Sequence, residues 1–234
     1  MSDALPIVFI PGASSDDTVW DAQKNHFAAT REAVTVSLVD LDNISDMSDR
    51  VLAAVKGDFI VCGTSMGGYV ALDVLKKAKH RVKKAIFCCT SARADTPERA
   101  AQRMAEIALG EQAYVEARKD DRHYRGFIGP KHWHNTELIR SLREVSQRVG
   151  FGCFSRHQTA CANRPDSVGF LEKIDIPALV ISGEKDILIP YALQKEMHEN
   201  LPDSTLVSIP DAGHIAHIED APRVTAAIEE FLQD

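Results

Sequence analysis

The residues best suited to chemistry lie in Phe59–Gly68, which reads FIVCGTSMGG. Ser65 stands between Gly63 and Gly67, after an apolar run typical of a buried strand and before a helical pattern. A sharp turn between strand and helix strains its central residue, and the flanking positions must be glycine to avoid clashes. The turn would lift the Ser65 hydroxyl to the N-terminus of a helix, whose dipole favours an anion. We therefore predict that Ser65 is a nucleophile.

A nucleophilic serine needs a base, and the base needs a third group that orients it. Asp186 follows the apolar run Pro177–Gly183, and His214 follows the next run, Thr205–Pro210. Ser65, Asp186 and His214 therefore all lie after predicted strands, at the carboxyl ends where open α/β sheets place their sites. We predict that His214 is the general base and that Asp186 orients its ring.

Other side chains near these positions are weaker candidates. His217 could be the base, but its place in the turn before the last helix favours a packing role. Glu184 could replace Asp186 as the acid, yet it lies closer to the strand, and Asp211 suits a turn. No helix of the HExxH kind supports a metal site, so we predict none from the remaining cluster of His214, His217, Glu219 and Asp220.

An acyl-transfer site also needs two backbone N–H groups that stabilise the negatively charged oxygen of the intermediate. The amide of Met66, directly after the nucleophile, is the first candidate. The second should come from the loop after the first strand, where Gly12 lets the backbone approach closely. We predict that the Ala13 amide is this donor, with Ser14 as the alternative.

Composition excludes several classes of protein. The chain has 27 Lys+Arg against 34 Asp+Glu, a net charge of −7 that argues against nucleic-acid and acidic-membrane partners. No apolar run reaches the ~18 residues of a membrane span, and the N-terminus lacks the basic region of a signal peptide. We expect a cytoplasmic protein whose cysteines, none of them in a CxxC pair, are reduced: Cys62, Cys88, Cys89, Cys153 and Cys161.

Short apolar runs alternate with amphipathic stretches, a rhythm that predicts βαβ units and a parallel sheet buried on both faces. The predicted strands are 6–10, 33–39, 58–62, 82–89, 177–183 and 205–210, and the predicted helices are 18–27, 45–55, 67–78, 190–200 and 222–232. From about residue 93 to residue 167 the sequence is polar and helix-like. We therefore predict an α/β fold with a mostly parallel sheet of about six strands, flanked by helices and carrying an inserted helical segment.

With these features the sequence resembles the α/β-hydrolase superfamily, in particular its small bacterial esterase-like members, over nearly its whole length. The matching motifs are Phe9-Ile-Pro-Gly-Ala with Trp20 downstream, Gly63–Gly68, Ile181–Asp186 and Asp211–Ile215. The resemblance implies a Ser65–His214–Asp186 triad, no cofactor, a mobile helical cap and a sheet that begins at the family's third strand. It divides the chain into a catalytic core, residues 1–92 and 168–234, and a cap, residues 93–167.

Two positions depart from the family pattern. Pro11 stands where many relatives have histidine before the glycine, and Thr64 replaces the usual histidine or asparagine before the nucleophile. Neither change removes a catalytic group, so both bear only on the shape of the oxyanion loop.

The predicted function is hydrolysis of a small neutral ester through an acyl-enzyme, since an acidic protein weakly disfavours anionic substrates. A lactonase, a C–C bond hydrolase and a perhydrolase would use the same residues, and a small-molecule receptor with a retained triad is an alternative of another class. Ser14, His157 and Gln158 are candidates for substrate contact, and we expect a monomer or homodimer. The aromatic residues of the cap are expected to supply part of an apolar pocket: Tyr114, Tyr124, Phe127, Trp133, Phe151 and Phe154.

Overall fold

The computed structural model describes residues 4–233, and its centre is a parallel six-stranded sheet. The strands lie in the order β2-β1-β3-β4-β5-β6, and every neighbouring pair is parallel. Their bounds are β1 Ile7–Ile10, β2 Ala33–Thr35, β3 Phe59–Thr64, β4 Val82–Cys88, β5 Ala178–Gly183 and β6 Ser204–Ile209. The predicted α/β fold with about six strands is confirmed, and the sheet is wholly parallel rather than mostly so.

Helices connect the strands and cover both faces of the sheet. They are α1 Asp21–Phe27, α2 Ile44–Ala54, α3 Met66–Ala78, α4 Pro97–Ala108, α5 Gly110–Ala117, α6 Asp121–Arg125, α7 Thr136–Ala162, α8 Val168–Leu171, α9 Tyr191–Asn200, α10 Ala216–Glu219 and α11 Ala221–Gln233. Short 3₁₀ turns span Asp17–Trp20, Lys79–Arg81 and Pro130–His132.

The apolar strands are explained by this two-sided cover. Alternate strand residues such as Val8 and Val61 pack with α2, α3 and α9 on one face. Their neighbours, such as Phe9 and Cys62, pack on the other face with Trp20, α1 and α11. Because side chains on a strand alternate between faces and both faces are buried, almost every position of the central strands must be apolar.

The chain leaves the sheet after β4 and returns at β5, and the segment between them contains α4 to α8. The longest helix, α7, is bent at Gly150, whose φ of 68° lies in the left-handed region that favours glycine. The part before the bend packs near Ile128 and Ile215, and the part after it contacts the loop that follows β2. This helical segment therefore lies against loops at the carboxyl edge of the sheet.

Two predicted elements differ clearly from the structure, whereas the bounds of the others agree to within two residues. The strand predicted over 33–39 ends at Thr35, and the carbonyls of Leu38 and Val39 are bonded by side chains of α7 instead of by a neighbouring strand. The helix predicted over 18–27 is divided into the 3₁₀ turn Asp17–Trp20, capped by Asp16, and α1. In both places side-chain hydrogen bonds override the local pattern.

The structure places all five cysteines in buried positions as free thiols. None of the helices within residues 4–233 is both long enough and apolar enough to cross a membrane.

Candidate active site

Ser65 occupies the turn between β3 and α3. Its φ of 51° and ψ of −117° are strained for a residue with a side chain. A Cβ on Gly63 would lie 2.2 Å from the carbonyl oxygen of Gly67, and a Cβ on Gly67 would lie 2.3 Å from that of Ile10. Only glycine fits these two positions, which is why the motif has glycine on both sides of the serine.

Three side chains form a continuous hydrogen-bond chain at this turn. His214 Nε2 lies 2.8 Å from the Oγ of Ser65, and His214 Nδ1 lies 2.9 Å from Oδ2 of Asp186. The other carboxylate oxygen of Asp186 accepts the backbone N–H groups of Leu188 and Ile189, each at 2.9 Å. These two bonds hold the carboxylate towards Nδ1, so that Nε2 is left to accept the proton of the serine hydroxyl.

The environment of His214 suits a base. Burial lowers the pKa of His214, but the charge and the hydrogen bond of Asp186 outweigh it, so that the pKa lies above its ordinary value. Asp186 is buried with only 6% of its surface exposed, whereas Ser65 is partly exposed. The imidazolium that forms when the base takes a proton is therefore stabilised by a carboxylate shielded from water.

Two backbone N–H groups near Ser65 are free to bind an anion. Within residues 4–233, the amides of Met66 and Ala13 donate no hydrogen bond. Met66 follows the serine at the start of α3, and a Cβ on Gly12, next to Ala13, would lie 3.4 Å from the Cβ of Ser65. The loop after β1 therefore runs against the serine.

The amide of Ser14, the alternative donor, is engaged elsewhere. It donates a 2.9 Å hydrogen bond to Nδ1 of His157, and His157 Nε2 lies 2.9 Å from the carbonyl oxygen of Leu38. The Oε1 of Gln158 accepts a hydrogen bond from Arg103 at 2.5 Å. Substrate contact by Ser14, His157 and Gln158 stays a prediction, and these bonds are the protein contacts that such a role would have to accommodate.

The loop that carries His214 is hydrogen-bonded to the helical segment. The N–H of Gly213 donates to Oε1 of Glu219 at 2.8 Å, and the N–H of Gly129 donates to Oε2 at 2.6 Å. We call this pair of bonds the Glu219 bridge. Burial raises the pKa of Glu219 to about 7, although these N–H donors act in the opposite direction. Asp186 adds to the rise through charge repulsion.

Sequence reasoning missed this part of the site. The sequence suggested Glu219 only as a possible metal ligand. Its contact with Gly129 was not predictable, because no short motif joins the two residues. The glycines were the available signal: a Cβ on Gly129 would lie 1.8 Å from the carbonyl oxygen of Asp211, and one on Gly213 would lie 2.7 Å from the amide of Gly129.

A second buried network joins α4, the chain after β4 and the chain after α7. Arg103 and Arg164 both pair with the carboxylate of Asp95, at 2.6 and 2.7 Å. The guanidinium of Arg164 also lies over the ring of Tyr69, 4.1 Å from its centroid. No sequence pattern pointed to this network, which links residues far apart in the chain.

The weaker candidates lie outside the hydrogen-bond chain. His217 is buried against Trp20, with ring centroids 4.4 Å apart, and burial lowers its pKa to about 3. Glu184 is largely exposed, and Asp211 is a left-handed residue with φ of 63°. In the described part of the chain, no group of three or more His, Cys, Asp and Glu side chains is placed to hold a metal ion.

Three of the six aromatic residues of the helical segment pack with one another, and Phe127 packs with His123. Tyr114 contacts Phe151 and Phe154, with ring centroids 5.8 and 5.1 Å apart. Tyr124 is buried with Ile128 in a small cluster. Trp133 is 39% exposed. Their contribution to a pocket over Ser65 stays a prediction.

Comparison with known proteins identifies the family and agrees with the fold. The model of the Alpha/beta hydrolase family matches residues 7–228. A pimeloyl-acyl-carrier protein methyl ester esterase of Neisseria meningitidis is 25% identical in an alignment of 248 positions that covers 100% of this chain and 78% of the esterase. An esterase of Thermogutta terrifontis superposes with a TM-score of 0.84 at 26% identity, covering 100% of this chain and 91% of that one. An enol-lactonase of Burkholderia xenovorans has the same fold, with a TM-score of 0.87 at 22% identity, covering 100% of this chain and 93% of the lactonase.

Proposed function

Since the chain belongs to the α/β-hydrolase family, we propose that it is a serine hydrolase that cleaves a small neutral carboxylic ester through an acyl-enzyme. The observation that carries the proposal is the unbroken hydrogen-bond chain from Ser65 through His214 to Asp186. Two free amides beside the serine supply the second requirement, a site for a negatively charged oxygen.

In the proposed first half-reaction, the Ser65 oxygen attacks the ester carbonyl carbon while His214 Nε2 takes the hydroxyl proton. The carbonyl π electrons move to its oxygen, which the Met66 and Ala13 amides bind. When the tetrahedral intermediate collapses, the bond to the alcohol oxygen breaks and His214 returns the proton to the leaving alcohol. Asp186 keeps the ring in the Nδ1–H tautomer and stabilises the imidazolium throughout.

In the second half-reaction, water takes the place of the alcohol. His214 removes a proton from the water as its oxygen attacks the acyl carbon, and the same two amides bind the oxyanion. Collapse breaks the bond to Ser65, whose oxygen recovers the proton from His214, and the carboxylic acid leaves. Ser65 and His214 have then returned to their starting protonation states, so that another turnover can begin.

The proposed cap, residues 93–167, would close over Ser65 and determine which acyl groups fit. The net charge of −7 disfavours anionic esters, and the two esterases named above support an ester as the substrate. A methyl ester of an acyl chain is a natural member of the test set because the Neisseria relative bears that activity in its name.

The test is a hydrolysis profile over p-nitrophenyl esters of increasing acyl length, methyl esters and lactones. We expect multiple turnovers on at least one short neutral ester, and a loss of kcat/KM on the order of 10⁴-fold or more in Ser65→Ala. Ser37→Ala is the matched control, because the Ser37 side chain is exposed and its carbonyl bonds Arg50 rather than a residue of the proposed triad. A Ser65→Ala variant as active as wild type, or a single turnover on every substrate as a receptor would show, would overturn the proposal.

A further inference from the structure

His157 has a defined hydrogen-bonding role that the proposed chemistry does not use. It lies on α7 beyond the bend and has no exposed surface. Nδ1 accepts the N–H of Ser14 and Nε2 donates to the carbonyl oxygen of Leu38, both at 2.9 Å. Because the first bond needs an acceptor and the second a donor, the ring must be the neutral Nε2–H tautomer.

The Ser14 end of this connection lies beside the proposed oxyanion donor. Ser14 follows Ala13 directly and has a φ of 57°, a left-handed conformation that is strained for serine. A second bond, from the Ser15 hydroxyl to the Gly12 carbonyl at 2.8 Å, tightens the same turn. A strained turn persists only where surrounding bonds hold it, and the Ser14 amide is held from outside the loop by His157.

We propose that His157 is a positioning residue that fixes the loop after β1, so that the Ala13 amide points at the oxyanion. This inference rests on the proposed function, because it concerns how the same site stabilises its intermediate. A backbone donor accelerates the reaction only if it is held where the negative charge develops. His157 thereby connects the helical segment to the loop of the proposed oxyanion donor, although His157 and Ser14 are 143 positions apart in the sequence.

The surroundings of His157 keep its ring in the required state. Burial lowers its pKa, and the charge of Arg156 acts in the same direction, while the Leu38 carbonyl and Asp40 oppose them. The thiol of Cys153 lies 3.6 Å from Nδ1 and carries no charge near neutral pH, since burial raises its pKa to about 12. The ring therefore stays neutral at neutral pH. A proton on Nδ1 would break the hydrogen bond that this atom accepts from the Ser14 N–H.

Two isosteric substitutions separate the two bonds. The amide of asparagine reaches about as far as Nδ1 of histidine, so that His157→Asn keeps an acceptor for Ser14. The amide of glutamine reaches about as far as Nε2, so that His157→Gln keeps the bond to Leu38 and loses the one to Ser14. Arg156→Gln is the matched control, because Arg156 bonds Val39 but not the oxyanion loop, and burial rather than the Arg156 charge is the main cause of the lowered pKa of His157.

Steady-state kinetics on a p-nitrophenyl ester and inhibition by an alkyl boronic acid, which forms a tetrahedral adduct with serine, give the readout. We expect His157→Gln to lower kcat roughly 10- to 100-fold with little change in KM. The inhibition constant of the boronic acid should rise by a similar factor. His157→Asn and Arg156→Gln should stay near wild type.

Equal kcat values for His157→Asn and His157→Gln would overturn the inference, as would a change in KM alone, which would indicate substrate contact instead. If the variants do not fold, ¹⁵N NMR of the wild-type ring decides: the Nε2–H tautomer supports the inference and the Nδ1–H tautomer contradicts it. A wild-type protein whose hydrolysis does not depend on Ser65 would refute the proposed function itself, which a result confined to His157 would not.

Discussion

The backbone N–H of His214 donates a 2.8 Å hydrogen bond to the carbonyl oxygen of Phe127, which lies in the helical segment between β4 and β5. The Glu219 bridge adds a second connection, because the carboxylate of Glu219 accepts one N–H from Gly129 in the helical segment and one from Gly213 in the histidine loop. The segment thus touches the histidine loop here and the loop after β1 through His157. The loop of the proposed base and the loop of the proposed oxyanion donor are therefore both bonded to the helical segment between β4 and β5.

Glu219→Gln should impair activity more than folding. Glutamine offers one acceptor oxygen where the carboxylate offers two, so that one of the two N–H groups would face an NH₂ group. We expect kcat to fall roughly tenfold, because small displacements of a base are costly. The comparison is with Glu230→Gln, which removes the same charge from an exposed position on α11. Equal activity in the two variants would show that the bridge does not position His214.

The same substitution should change how stability depends on pH. The pKa of Glu219 in the folded chain is about 7, above the ordinary 4.5, so that its ionisation opposes folding. Its favourable contribution is complete below pH 4.5 and is lost as the pH rises through about 7. Urea unfolding should therefore show wild type losing free energy of unfolding relative to Glu219→Gln over that interval. A difference that does not vary with pH would show that Glu219 does not titrate with a raised pKa in the folded chain.

Asp186→Asn should preserve the fold but remove most of the activity. The asparagine oxygen can still accept the N–H groups of Leu188 and Ile189, but its NH₂ group would donate to Nδ1 of His214 and leave the proton on Nε2. A base that already carries a proton cannot accept that of Ser65, so kcat should fall by about 10⁴-fold. Glu184→Gln, an exposed neighbour, should be close to wild type in the same assay.

The parts of the fold that were predictable are those coded by local pattern. Continuous apolar runs identified the strands, because a parallel sheet covered on both faces leaves little room for polar residues. The edge strand was predicted too long, since Val36 and Leu38 are buried and apolar although β2 ends at Thr35 and the Leu38 carbonyl is bonded by His157. Hydrophobicity reports burial, and the pairing of the backbone depends on neighbours far away in the sequence.

The same division holds for the site. Ser65 was recognisable because its turn imposes glycine at fixed neighbouring positions, and Asp186 and His214 because each follows a strand. Glu219 and the partners of His157 were not recognisable, because their bonds join residues 90 and 143 positions apart without any local constraint. Such contacts depend on how the helical segment packs, which periodicity alone does not specify.

Covalent labelling shows whether Ser65 is an activated nucleophile, on which the proposed hydrolysis depends. The protein is treated with an alkyl fluorophosphonate, which transfers its phosphonyl group to an activated serine and releases fluoride, and the labelled peptide is sequenced by mass spectrometry. We expect one label per chain, on Ser65, with labelling abolished in Ser65→Ala and strongly slowed in His214→Ala. A label on another serine, or none on a protein that still hydrolyses esters, would contradict this role of Ser65.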